Sequence, residues 1–150
     1  MWQPLFASIN AIALIAWLVL ILAPRRPAVL SAVLFAGVGL LCLIYTALFV
    51  GLVTGLADPV RASPAPAFDY SVTGLRAMFD SDGGVVVGWT HYLALDLFTG
   101  LWIARDADAK QFGRLVQAPV LLATFMAGPL GLLLWLCLRE PAARQAARRR

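Results

Sequence analysis

Charged residues are scarce in this chain. Only 13% of its 150 residues are Asp, Glu, Lys or Arg, whereas 61% are hydrophobic. A water-soluble domain of this size needs a far more polar surface, so the composition excludes an ordinary soluble protein. Cysteine and histidine are also rare, with two cysteines and one histidine. These counts argue against a disulfide framework, a zinc site and bis-histidine haem ligation within one chain.

The sequence also lacks the short motifs that identify many enzymes. It contains no phosphate-binding glycine loop, no nucleophile elbow and no zinc-protease motif. We therefore expect neither a metal nor a cofactor. The net charge of +4 does not predict a nucleic-acid partner, because much of it lies in the basic C-terminal tail 141–150. Such a tail beside a membrane span is expected to contact anionic lipid.

Four apolar blocks are each long enough to cross a bilayer. Each block has 20 to 25 residues, and a helix rising about 1.5 Å per residue covers a hydrocarbon core about 30 Å thick. Uninterrupted apolar runs favour helices over an alternating β-barrel. The blocks are 4–23, 29–53, 84–104 and 116–138. The sequence predicts an all-α membrane protein, with four transmembrane helices in one small bundle over residues 1–140.

The connections between these blocks differ in length and composition. The long one joins the second and third blocks; its first part, 58–68, has three prolines and is predicted to be irregular. Its second part, 71–79, is predicted to form a short interfacial helix. Within the fourth block, Gly128 and Pro129 should kink or loosen the helix.

The orientation in the membrane is weakly determined by charge. With four crossings, the side that holds both termini and the long loop carries seven Lys and Arg, against five on the other side. The positive-inside rule then places the termini in the cytoplasm, although Arg25 and Arg26 after the first helix argue the other way. We expect a multi-pass protein, most simply of a bacterial inner membrane.

The third block holds the residues that can carry chemistry. His91 is the only histidine of the chain, and Asp96 is the only carboxylate inside a predicted span. An Asp at the centre of a membrane helix costs about 2.5–3.5 kcal/mol on insertion scales. A functional or polar-network role is therefore expected, with Asp96 neutral or paired at pH 7. Purely structural hydrogen bonding by either side chain remains open.

Counting residues from the helix ends places the polar side chains in two layers. Asn10, His91 and either Tyr45 or Thr46 should lie at one depth inside the bundle. Asp96 and Thr124 should share a second depth. Because His91 and Asp96 are five residues apart, they should lie about 140° apart around an ideal helix.

The residues 77–79 and the run 88–107, GWTHYLALDLFTGLWIARDA, resemble the abscisic-acid-deficient-four-like family, also called neoxanthin-synthase-like. The plant members of this family are chloroplast membrane proteins that are required for forming neoxanthin from violaxanthin. Within this family, the chain most resembles a bacterial member. The resemblance is carried by about thirty residues and is compatible with the four predicted spans and with Asn10.

The resemblance implies an isomerisation in which an epoxide opens while a proton leaves the adjacent polyene carbon. Such a reaction needs an acid and a base but no redox cofactor. The available acid–base pair is His91 and a neutral Asp96. The remaining expected site residues would bind the substrate: Asn10, Tyr45, Trp89, Tyr92, Phe98, Thr99 and Trp102.

Two other functions stay open on the sequence. The first is a non-enzymatic pigment- or lipid-binding subunit of a membrane complex. The second is a small proton-coupled carrier that acts as a dimer around Asp96. The expected partners are membrane lipid and a hydrophobic isoprenoid or carotenoid, with a second copy or a membrane complex left open.

Overall fold

The computed structural model describes residues 1–57 and 71–148, and it describes side chains as far as residue 140. Within those residues every regular element is a helix, which confirms the all-α prediction. The six helices are α1 (Trp2–Leu22), α2 (Pro27–Val53), α3 (Val72–Met78), α4 (Asp82–Ala109), α5 (Arg114–Met126) and α6 (Gly128–Arg148). The predicted irregular stretch 58–68 and the side chains of the tail 141–150 lie outside the described residues.

Helices α1 and α2 are the two described helices that are long and apolar enough to cross a membrane by length and composition. They begin and end within two residues of the first two predicted spans. Pro27 stands in the first turn of α2, where its fixed φ suits a helix start. Within α2 the segment Val33–Gly39 is a π-helix, which the sequence did not predict.

Helix α4 is the central element, because it packs against α1, α2, α5 and α6. The Ser81 hydroxyl caps its start by accepting a hydrogen bond from the Gly84 N–H at 3.0 Å. One stripe of α4, spaced by three or four residues, is buried: Thr90, Ala94, Leu97, Leu101 and Ala104. This spacing is that of one helix face, so the opposite side of α4 is left to face outward.

Two glycines allow α1, α2 and α4 to approach closely. At Gly100 of α4 an added methyl group would overlap the indole ring of Trp17 in α1. At Gly37 of α2 an added methyl group would stand 3.0 Å from the Cβ of Ala16 and 3.1 Å from Leu97. These contacts bring the three long helices into one packed core.

The fourth predicted span is not a single helix, and the prediction of one helix over 116–138 is wrong. Helix α5 ends at Met126, Ala127 is extended with φ −157° and ψ 90°, and α6 starts at Gly128. Because Pro129 has no N–H, it cannot continue the hydrogen-bond ladder of α5. The N–H groups of Leu130 and Gly131 donate instead to the Ala127 carbonyl, at 3.0 and 3.1 Å.

Helix α6 then runs back beside α5. A methyl group on Gly131 would overlap Thr124, so the two helices touch closely next to the turn. Farther along, the ring of Trp135 lies 5.1 Å from the ring of Phe112, a residue that precedes α5. Helices α5 and α6 therefore form an antiparallel hairpin, and residues 126–128 are its tip. The predicted kink at Gly128 and Pro129 is a full reversal of the chain.

The predicted short helix over 71–79 is confirmed as α3. The Ser71 hydroxyl accepts a hydrogen bond from the Gly74 N–H at 3.0 Å. The ring of Phe79, just after α3, occupies the space that a side chain at Gly88 would need. This contact folds α3 against the first turns of α4, while the interfacial position of α3 stays a prediction.

Candidate functional site

Most of the predicted site residues lie on the side of α4 that no other helix covers fully. We call this side the outward face of α4; it comprises His91, Tyr92, Leu95, Phe98, Thr99 and Trp102. Tyr92 and Phe98 are 52% and 50% exposed, and Trp102 is 38% exposed. The face is therefore a largely apolar, aromatic surface with a histidine and hydroxyl groups in it.

Asn10 pairs with Trp89, which lies at the border between the outward face and α1. The Trp89 indole Nε1–H donates to the Asn10 side-chain oxygen at 3.0 Å, and the Asn10 amide donates to the Phe6 carbonyl at 2.7 Å. The rings of Phe6 and Trp89 lie 6.0 Å apart. These contacts agree with the expected common depth of Asn10 and this part of α4. The α4 residue that Asn10 contacts is Trp89, and this contact joins α1 to α4.

His91 contacts Tyr45 of α2. Their ring centroids are 5.4 Å apart with a 51° angle between the planes, and Tyr45 in turn stacks on Phe49 at 5.8 Å. Thr46 is exposed and donates to the Cys42 carbonyl, so Tyr45 is the residue that meets His91. His91 itself is exposed rather than inside the bundle as expected. The buried face of α4 differs from the expected one by one residue. The preceding residue, Thr90, is buried, and His91 is therefore turned outward.

Asp96 contacts the tip of the hairpin. Its carboxylate accepts a hydrogen bond from the backbone N–H of Gly128. The approach is so close that a methyl group on Gly128 would overlap the carboxylate. Thr124, expected at the depth of Asp96, is fully buried one turn before the tip and donates to the Val120 carbonyl at 2.8 Å. A helix break therefore supplies the partner of the only carboxylate in the middle of α4.

The structure does not bring His91 and Asp96 into contact. They lie on one continuous helix, five residues and about 140° apart. His91 lies against α2, whereas Asp96 lies against α6. Between them the outward face presents Tyr92 and Leu95. A molecule could reach both groups only by lying across this face.

The end of α4 carries a polar cluster that the sequence analysis missed. The Asp106 carboxylate accepts hydrogen bonds from Lys110 and from the Trp135 indole at 2.9 Å, and pairs with Arg139 at 3.1 Å. Arg139 also stands 5.5 Å from the ring centre of Trp102. The (i, i+4) spacing of Asp106 and Lys110 could have indicated their pair. No sequence pattern could have found the contacts of Trp135 and Arg139, because these depend on α6 returning beside α4.

The environment of Asp106 changes its acidity. Burial by itself raises the pKa of this carboxyl, but the hydrogen bonds from Lys110 and Trp135, together with the charges of Arg139 and Lys110, outweigh it. The net effect is a pKa below the ordinary value, so Asp106 is ionised at neutral pH.

The described side chains offer no clear metal site. Within residues 1–57 and 71–140, no three His, Cys, Asp or Glu side chains come together as metal ligands would. The two cysteines, Cys42 and Cys137, are free and exposed on the surface of the single chain. What the site does offer is a carboxyl group, an imidazole and an aromatic surface.

Comparison with known proteins identifies the family but gives no close relative. No curated protein and no solved structure matches the chain. The family model described as ABA DEFICIENT 4-like matches residues 4–135, a range that includes the outward face of α4, Asp96 and the hairpin tip. This match covers most of the sequence, and the chain belongs to the ABA DEFICIENT 4-like family.

Proposed function

We propose that this protein is embedded in a membrane, binds an isoprenoid or carotenoid along the outward face of α4 and isomerises it. Family membership supports the chemical class of the ligand. The observation that carries the proposal is the position of Asp96, a mid-helix carboxyl group at the edge of an exposed aromatic face. An apolar ligand dissolved in the bilayer can reach such a face directly.

The membrane arrangement that we infer has three crossings and a re-entrant hairpin. Helices α1, α2 and α4 cross, and α4 with its 28 residues is about 42 Å long. Asp96 lies 13 residues before the last residue of α4 and contacts the hairpin tip, so the tip lies near the middle of the bilayer. The irregular backbone at Ala127 is compatible with that depth, because it packs against protein.

This arrangement makes the charge distribution strongly asymmetric. In the arrangement that we propose, α6 returns to the side of the turns 23–26 and 110–113. Among the residues whose side chains the structure describes, that side carries six Lys and Arg: Arg25, Arg26, Arg105, Lys110, Arg114 and Arg139. The side of the N-terminus and of α3 carries one of the described Lys and Arg, Arg76. By the positive-inside rule the tail is cytoplasmic and the N-terminus is outside, in a bacterial inner membrane or its equivalent.

The reaction that fits this surface is the opening of an epoxide. An acid donates a proton to the epoxide oxygen as its C–O bond breaks. A base takes the proton from the adjacent polyene carbon, and the electron pair released forms the new double bond of an allene. Neutral Asp96 is the acid in this proposal and His91 the base. Because the two groups are apart, the ligand lies across Tyr92 and Leu95 to meet both.

A second candidate function is binding without chemistry, as a pigment- or lipid-binding subunit of a membrane complex. The observation that favours it is the hydrogen bond between Asp96 and Gly128, which gives the carboxyl group a structural role that requires no catalysis. The separation of His91 from Asp96 points the same way.

One experiment separates the two functions. The purified protein is incubated with an epoxy-carotenoid in lipid nanodiscs, and the pigments are then resolved by chromatography. Formation of an isomer of the same mass supports the enzyme, whereas retention of unchanged pigment supports the binding subunit. The Arg76→Gln variant, altered at an exposed residue of α3 outside the outward face, serves as a control and should behave like the wild type.

A further inference from the structure

Two arginines fasten the turn between α1 and α2 to the end of α4 and the start of α5. Arg114 donates from Nη2 to the carbonyls of Ile21 and Ala23, at 3.0 and 2.7 Å. Arg25 pairs with Asp108 at 3.3 Å, and the other oxygen of Asp108 accepts from Gln117 at 2.9 Å. The two guanidinium groups are therefore held close together at one end of the molecule.

The positive charge at this place exceeds the negative charge that the described residues supply. Asp108 is the carboxylate that faces the pair, and Arg25 uses it. In the described part of the chain, Arg114 and the exposed Arg26 have no acidic partner. Burial lowers the pKa of Arg25, Asp108 opposes this, and the nearby charge of Arg114 lowers it further.

Donor groups also remain unused here. A guanidinium has five N–H donors, and the two bonds of Arg114 both come from Nη2, which leaves the N–H groups of Nη1 and Nε. The Nε of Arg25 is buried without a partner. The side chains and carbonyls of the described residues therefore do not saturate this cluster of donors.

Apolar side chains stand exposed next to these charges. Leu115, adjacent to Arg114, is 92% exposed, and Leu22, at the end of α1, is 72% exposed. Unpaired guanidinium groups beside exposed leucines match the boundary between lipid headgroups and acyl chains. A lipid could place its phosphate on the arginines and its chains along the leucines.

We propose that Arg114 and Arg26 bind the phosphate of an anionic lipid in the cytoplasmic leaflet. This inference goes beyond the proposed reaction and rests only on the membrane placement of the helices. The fork of Arg114, held by two backbone carbonyls, is already oriented, so binding needs little ordering of that side chain. A soluble phosphate compound presents the same oxygens but lacks the acyl chains.

The test compares the melting temperature of the protein in nanodiscs of phosphatidylcholine with and without phosphatidylglycerol. Phosphatidylglycerol should raise the melting temperature of the wild type. Arg114→Gln and Arg26→Gln should each lose much of that increase, whereas Arg76→Gln, which removes the same charge at the opposite end, should keep it. Since the side chain of Arg26 is exposed and only its backbone forms hydrogen bonds with described residues, its variant should fold normally.

Two outcomes would overturn the proposal. The first is an equal increase in all variants, which would show a diffuse charge effect. The second comes from adding inorganic phosphate to phosphatidylcholine nanodiscs; protection by phosphate, with none by phosphatidylglycerol, would assign the site to a soluble compound. Native mass spectrometry gives an independent count, and the wild type should retain one more phosphatidylglycerol than Arg114→Gln. None of these measurements depends on pigment conversion.

Discussion

The carboxylate of Asp96 accepts a hydrogen bond from the backbone N–H of Gly128, and this contact joins the middle of α4 to the hairpin tip. The first N–H groups of a helix have no partner inside it. In α6 the groups of Leu130 and Gly131 bond to Ala127, and Pro129 has none to offer. Gly128 is thus the N–H group that needs an outside acceptor, and Asp96 provides it.

We predict that Asp96→Asn preserves stability whereas Asp96→Leu does not. An asparagine oxygen can still accept from Gly128, but leucine leaves that N–H without a partner in an apolar environment. The loss should be about 1–3 kcal/mol. Melting temperatures of the detergent-solubilised variants measure it. Equal melting temperatures for the two variants would mean that the contact with Gly128 does not stabilise the hairpin.

The inferred topology predicts that α3 and the C-terminus lie on opposite sides of the membrane. In a background without Cys42 and Cys137, Thr73→Cys in α3 should react with an impermeant maleimide on intact cells. Gly113→Cys, in the turn before α5, should react only after permeabilisation, and a C-terminal fluorescent fusion should be bright. If Thr73→Cys and the C-terminus report the same side, the chain crosses four times and the hairpin is not re-entrant.

Gly100→Ala should destabilise the protein, because its methyl group would overlap the indole of Trp17. Overpacking of this kind costs about 1–3 kcal/mol. The control is Gly39→Ala on an exposed part of α2, where an added methyl group meets its nearest neighbour at an ordinary 3.4 Å. That variant should be neutral or slightly more stable, as measured by thermal unfolding.

Acid should weaken the cluster around Asp106 that holds α6 against the end of α4. Since the pKa of Asp106 is lowered in the folded protein, its contribution to stability is present above the unfolded value of about 4. The contribution is lost as the pH falls below that value toward the lower folded pKa. Asp106→Asn should therefore reduce stability at pH 7 and remove part of the loss below pH 4.

The sequence sufficed for α1, α2 and α4, because long apolar runs set both their existence and their approximate ends. The sequence did not predict the structure of residues 116–138, because hydropathy does not tell whether an apolar segment continues in one direction or turns back. Gly128 and Pro129 indicate a break in the helix, but the same two residues are compatible with either a kink or a reversal of the chain. In the topology that we propose, reversing α6 also moves Arg139 to the side of the turns 23–26 and 110–113.

The sequence predicted the depth at which residues of the candidate site lie along the helices, but not where their side chains point. Counting along the helices correctly related Asn10 and Tyr45 to the first half of α4. It could not tell that Trp89 would meet Asn10 or that His91 would turn outward beside Tyr45, because rotation by one residue decides which side chain is buried. The partner of Asp96 was unpredictable for another reason: Gly128 reaches it only through the hairpin.

The most direct test of the proposed function compares pigment conversion by the wild type and by Asp96→Asn in the same nanodiscs. Asparagine keeps the hydrogen bond from Gly128 but has no carboxyl proton to give. The acid role predicts that Asp96→Asn remains folded and still binds the epoxy-carotenoid, while formation of the isomer, followed by chromatography, is lost. A stable Asp96→Asn protein that converts the pigment at the wild-type rate would contradict that role.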